Sequence, residues 1–179
     1  MPRIAALAFV LLIPRALAGT RFNTFDDEAM KAFSLTTENV RKAAAVMHRL
    51  AGEVAKDPAL APALGKKTQR AATLDAKAKA LESDPRIASA LRAEPITARE
   101  YVMVQLAILQ AGLIAAARAR GAEMDPAEIA EAMNPANVDF VETHPKEMEE
   151  LGRSQRELEN ATKPADRSHE PTSAQGEKK

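Results

Sequence analysis

The chain has 179 residues and a mass of 19.3 kDa; 46% of it is apolar, 28% charged and 3% aromatic, with no Cys and no Trp. Its 25 basic and 25 acidic side chains cancel. This excludes a disulfide-stapled mini-domain, a cysteine–zinc module, a c-type haem protein and a collagen, and it removes the basic footprint of a general nucleic-acid binder.

The N-terminus reads Met1-Pro2-Arg3, an uninterrupted apolar run from Ile4 to Ile13, and a small-x-small site at Ala16-Leu17-Ala18. These are the three parts of a secretory signal peptide, with cleavage expected before Gly19. Ten apolar residues are too few to cross about 30 Å of hydrocarbon as a helix. Cleavage removes Arg3 and Arg15 and leaves a formal charge of −2. An N-terminal arm at 19–35 follows, carrying Phe22, Phe25 and Phe33, with Thr24 and Asp27 spaced to open one short helical turn.

Ala supplies 38 residues. It loses no side-chain entropy in a helix and is depleted from sheets, so the body of the chain is expected to be helical. A first helix starts after Thr36 or Thr37 and carries an apolar stripe at Val40, Ala44, Met47, Ala51 and Val54; Pro58 closes it. Pro58 and Pro62 interrupt the next stretch, and Gly65-Lys66-Lys67 reads as a solvated turn. Short helices follow from Thr73 to about Asp84 and from Pro85 to about Pro95.

The most fully specified element runs from Thr97 to Gly121. Thr97 and Glu100 have capping-box spacing, and Ile96 and Tyr101 that of a hydrophobic staple. Gly121, after Arg118 and Arg120, supplies the left-handed stop. Between Tyr101 and Ala117 only Gln105 and Gln110 are strongly polar, so the helix is surrounded by other helices or by lipid; seventeen residues reach about 25 Å, short of the usual membrane span, and a central core helix is expected. A short helix opening at Asp125-Pro126, a turn at Val138–Val141 and a charged helix from Lys146 to about Glu159 complete the body. The expected fold is therefore all-α: an irregular bundle of about five helices at 36–160, wrapped around a central apolar helix at 98–120. A disordered tail is expected at 161–179, where Pro164, Pro171 and Gly176 stand among charged and small polar residues.

Chemistry-bearing residues are sparse. His169 falls in the tail, and neither His48 nor His144 belongs to a helical ligand pair such as His-x-x-x-His or Glu-x-x-His. A site in which His48 and His144 meet in space is the remaining metal arrangement, and no metal or other cofactor is expected. No Gly-x-Ser-x-Gly elbow or Ser-x-x-Lys pair occurs, and Ser34, Ser83, Ser89 and Ser154 stand beside caps, turns or helix surfaces. No residue is therefore assigned a catalytic role.

Several runs occur together: Phe33-Ser34-Leu35-Thr36, Asp57-Pro58, Ala98-Arg99-Glu100-Tyr101-Val102, and Asn134-Pro135-Ala136-Asn137-Val138 with Phe140-Val141 and His144. In combination they resemble a group of short exported bacterial helical proteins to which no activity is assigned. The likeness spans about residues 33–151 and implies a signal peptide followed by a helical domain of the bacterial envelope. It carries over no functional residue. The expected function is that of an exported, non-catalytic module binding a protein or peptide partner in the envelope, periplasmic or secreted and without nucleic acid. The alternative is a periplasmic carrier of a small apolar ligand such as a lipid or haem. Met47, Met103, Met124, Met133 and Met148 would line its pocket, and His48 or His144 would be the axial ligand for haem. An enzyme ranks third.

Overall fold

A computed structural model describes residues 24–62, 64 and 71–163. The expected signal peptide at 1–18, the first part of the arm, the Gly65-Lys66-Lys67 turn and the tail from Pro164 onward lie outside the described residues.

All regular structure among the described residues is helical, and the fold is all-α. In chain order the helices are α1 (Thr24–Ala32), α2 (Thr37–Lys56), α3 (Leu74–Glu82), α4 (Pro85–Ala93), α5 (Ala98–Ala119), α6 (Pro126–Ala132), α7 (Ala136–Thr143) and α8 (Pro145–Thr162). In place of the single expected turn in the arm, α1 is a nine-residue helix. Burying Met30 in the core fixes it by tertiary packing, a driving force that local propensity does not report.

Local chemistry sets most boundaries. Thr36 caps α2 by accepting from the Asn39 amide at 3.1 Å, and the Asn39 side chain accepts from the Thr36 amide at 2.9 Å. Thr97 caps α5 by accepting from the Glu100 amide at 3.1 Å. Asp84 and Asp125 cap α4 and α6, each followed by a Pro whose missing N–H costs a first turn nothing. At the end of α5, Gly121 has φ +83°. Its amide reaches the Arg118 carbonyl and that of Ala122 reaches Ala117, the paired closure of a Schellman motif.

The bundle is held by α2 and α8, which run in the same direction. Arg41 pairs with Glu147 near their starts and His48 with Glu157 further along. Their buried seam includes Ala43, Met47 and Leu50 on α2 and Met148 and Leu151 on α8. α5 packs against α3 and α7, and also touches α2. A second, smaller cluster joins Ala111 of α5 to Ile129, Met133 and Val138. Met47, Met103, Met133 and Met148 are buried, whereas Met124 lies at the surface.

Tyr101 is buried among these helices, and burial pushes its phenol well above the ordinary value, only partly opposed by its hydrogen bond with Gln105. The unfolded chain therefore ionises first. Stability is whole below about pH 10 and falls as pH rises beyond it. Urea midpoints measured across alkaline pH are expected to drop, and Tyr101→Phe to flatten that drop. Tyr101 is the sole tyrosine of the chain, so its phenolate absorbance can be followed in the same titration.

Candidate functional site

The expectation that α5 is surrounded on every side does not hold: its first half is mostly buried, with Arg99, Glu100 and Gln105 half-buried, and its second half is open along one side. From Ala98 to Ile108, Tyr101, Val102, Met103, Val104, Leu106, Ala107 and Ile108 are buried. Beyond Ile108 the other helices cover one side, where Ala111 has no exposure and Ile114 and Ala115 pack against the smaller cluster. The opposite side is open. Leu113 is 62% exposed, Ala116 is exposed, and Leu109, Gly112 and Ala117 are half-buried. A composition that is apolar all round cannot tell which part of a helix the bundle will reach. Periodicity therefore missed the open half.

The open side has a regular geometry. Gln105, Leu109, Gly112, Ala116 and Ala119 recur at alternating four- and three-residue steps, the spacing of a coiled-coil seam, with Leu113 beside it. Small residues at three of these positions let a neighbouring backbone approach closely. A Cβ placed on Gly112 meets nothing within 4 Å. Gly112→Ala is therefore expected to raise stability by about 0.5–1 kcal/mol, the helix-propensity difference alone, as read from the thermal midpoint. On the flank toward the core, Gln110 Oε1 is buried with no hydrogen-bond partner among the described residues. By length and composition α5 also reaches what a membrane span requires.

The titratable candidates are dispersed. His48 is exposed on α2 and pairs through Nδ1 with Glu157 Oε2 at 2.7 Å. His144 joins α7 to α8, stacked on Phe140 with ring centroids 4.0 Å apart. Its Nδ1 lies 3.0 Å from Thr143 Oγ1 and 3.1 Å from the Phe140 carbonyl. Glu157 stands thirteen residues after His144, about 20 Å along α8, so the two histidines do not meet. No group of three or more His, Asp or Glu among the described residues is arranged to hold a metal. Ser83 Oγ donates to the Ala80 carbonyl at 2.8 Å, and Ser34 Oγ accepts from Asn134 Nδ2 at 3.0 Å.

Two polar constellations tie distant segments together. Arg86 bridges Asp84, at 2.9 Å, to Asp57 after α2. The Arg86 guanidinium holds the Asp84 carboxyl down at about 2, so its contribution to stability is present above the ordinary carboxylate value and is lost as pH falls through about 2. The second constellation clasps the extended link between α1 and α2. Asn137 Oδ1 accepts from the Leu35 amide at 2.7 Å, and Asn137 Nδ2 donates to the Phe33 carbonyl at 3.0 Å. Asn134 Nδ2 donates to the same carbonyl at 3.2 Å, and Asn39 Nδ2 to the Ser34 carbonyl at 3.0 Å. Phe33–Thr36 and Asn134–Val138, two runs that carry the resemblance, are thus in direct contact.

A shallow depression of about 580 Å³ lies between α2, the end of α4 and α8, lined by Thr37, Glu38, Arg41, Lys42, Glu94 and Glu150 among others. Its charged side chains are largely engaged with one another or with neighbours, as in Lys42–Glu38, Arg41–Glu147 and Arg49–Glu94. On the open side of α5, Leu113 is the most exposed large apolar side chain among the described residues. No family model, curated protein or solved structure matches the chain.

Proposed function

We propose that the chain is an exported, non-catalytic helical module of the bacterial envelope, and that the open side of α5 docks an apolar helix of a protein partner. The exposure of Leu113, between half-buried Leu109 and exposed Ala116, carries this reading. Apolar side chains clustered on a protein surface mark interaction sites more often than isolated ones do. The seam spacing with small residues suits a helix laid along it, recognised through side chains at three- and four-residue steps. Export is supported by the three-part pattern at residues 1–18.

The test is a photo-crosslinking amino acid in place of Leu113 in the full chain, expressed in its own cells, with the same amino acid in place of Arg153 on α8 as comparison. Irradiation is expected to give one defined adduct with a second protein from the Leu113 position and none from Arg153. Leu113→Glu is expected to reduce retention of that protein at least tenfold. Leu113 makes little of the core, so this variant keeps its thermal midpoint within the small range of surface substitutions. Identical adduct patterns from both positions, or equal retention by wild type and Leu113→Glu, would overturn the reading.

A further inference from the structure

We infer that the helix docked on the open side of α5 is the same half of α5 from a second copy of this chain, laid antiparallel about a two-fold axis at the level of Ile114. The inference names the partner in the docking reading above and rests on that reading.

The first argument is self-complementarity. A two-fold contact sets residue i of one copy against residue j of the other, and j against i. With the axis at Ile114, Leu109 faces Ala119 of the second copy, and Gly112 faces Ala116 of the second copy, each pair occurring twice. The one large residue of this stretch of seam thus meets a small one. The two inner layers join small to small, which lets the helix axes approach to about 8 Å. Leu113, 62% exposed, lies beside these inner layers and is covered by the close approach. A parallel pair would instead set Leu109 on Leu109 and Gly112 on Gly112, a thick layer next to a gap.

The second argument is length. The open half begins after Ile108 and the helix stops at Gly121, whose φ is +83°. Pairing about Ile114 maps residues 109–119 onto themselves, so neither copy needs the covered first half of the other. The third is charge. From Leu109 to Arg120 the charged residues are Arg118 and Arg120. A parallel pair would bring each beside its own copy. The antiparallel pair sets the two Arg120 residues about 18 Å apart along the axes, beyond the screening length of about 8 Å, and opposes the two helix dipoles. Eleven residues per copy, about 17 Å of helix, make a contact below the roughly 1,000 Å² of a permanent complex. The pair is therefore in exchange with monomer and populated by concentration.

The chain has no Cys, so single cysteines report the pairing. Leu109→Cys and Ala119→Cys forms of the full chain are mixed and oxidised, with Arg153→Cys on α8 as comparison. The mixed disulfide is expected to form at least tenfold faster than any of the three variants forms one with itself. In sedimentation velocity the dimer fraction of the unsubstituted chain is expected to rise with concentration, and Leu113→Glu to return it to monomer. Like-with-like disulfides as fast as the mixed one overturn the inference. So does a chain that sediments as a monomer at every concentration up to about 1 mM. The cellular adduct at Leu113 is expected at twice the mass of the chain. An adduct there with a different protein, without the preferential mixed disulfide, overturns this inference and leaves the docking reading standing. Identical adduct patterns from Leu113 and Arg153 overturn the docking reading, and this inference with it.

Discussion

Asn137→Ala is expected to lower the unfolding free energy by about 3 kcal/mol, measured by urea denaturation at neutral pH. Asn137 is 1% exposed and stands at the start of α7, 102 residues from the amide it accepts from. Removing its side chain strands the buried Leu35 N–H, a loss of about 1–3 kcal/mol by itself. It also takes one of two donors from the Phe33 carbonyl and leaves a void between α7 and the link. Asn137→Asp discriminates between packing and hydrogen bonding. It keeps an acceptor for Leu35 but turns an oxygen toward the Phe33 carbonyl, so a loss similar to that of the Ala variant is expected. Asn134→Ala should cost about 1 kcal/mol, because the Phe33 carbonyl keeps Asn137 and the cap lost at Ala136 is exposed. Equal losses for Asn134→Ala and Asn137→Ala would sink the clasp as described.

Ala111→Leu is expected to destabilise by about 2–3 kcal/mol, through overpacking at a helix–helix contact. Ala111 has no exposure and faces Ile129, Met133 and Val138. Ala116→Leu, five residues along the same helix, is expected to change stability by no more than about 0.5 kcal/mol, because Ala116 lies on the open side. The same Ala116→Leu change fills the seam and should weaken partner retention. Its effects on stability and on docking are thus expected to separate. Thermal midpoints of the two variants in one buffer suffice for the comparison. A large stability loss at Ala116 would show that the face is covered by the fold itself.

The elements legible in the sequence are those fixed by neighbours within four residues. Thr97 and Asp125 cap where the spacing predicted, Thr36 is the cap of the two threonines expected to start α2, and Gly121 closes α5 with the positive φ expected of it; Asp84, expected only as the stop of the preceding helix, also caps α4. The apolar stripe of α2 is likewise its buried face, from Val40 to Val54. What stayed hidden depends on contacts across the chain. Nothing near Asn137 in sequence announces that its amide serves Leu35. Asn134 reads locally as a cap, which it is for Ala136 at 3.1 Å, while its Nδ2 serves Phe33 and Ser34. The same holds for the open side of α5: Leu106 and Leu109 are chemically alike, and only contacts with helices distant in sequence decide that the first is buried and the second half-buried.

The parallel pairing of α2 with α8 and the clasp between Leu35 and Asn137 both close loops of about a hundred residues. Such closures come late, because chain entropy opposes them until nearly all of the polypeptide is free to move. A chain emerging N-terminus first exposes the buried stripe of α2 long before its covering helix appears, since α8 begins only at Pro145. The architecture therefore couples completion of folding to release of the last quarter of the chain, from about Asn137 onward, so that a truncation anywhere in that stretch takes away the partner of the α2 stripe, the clasp, or both.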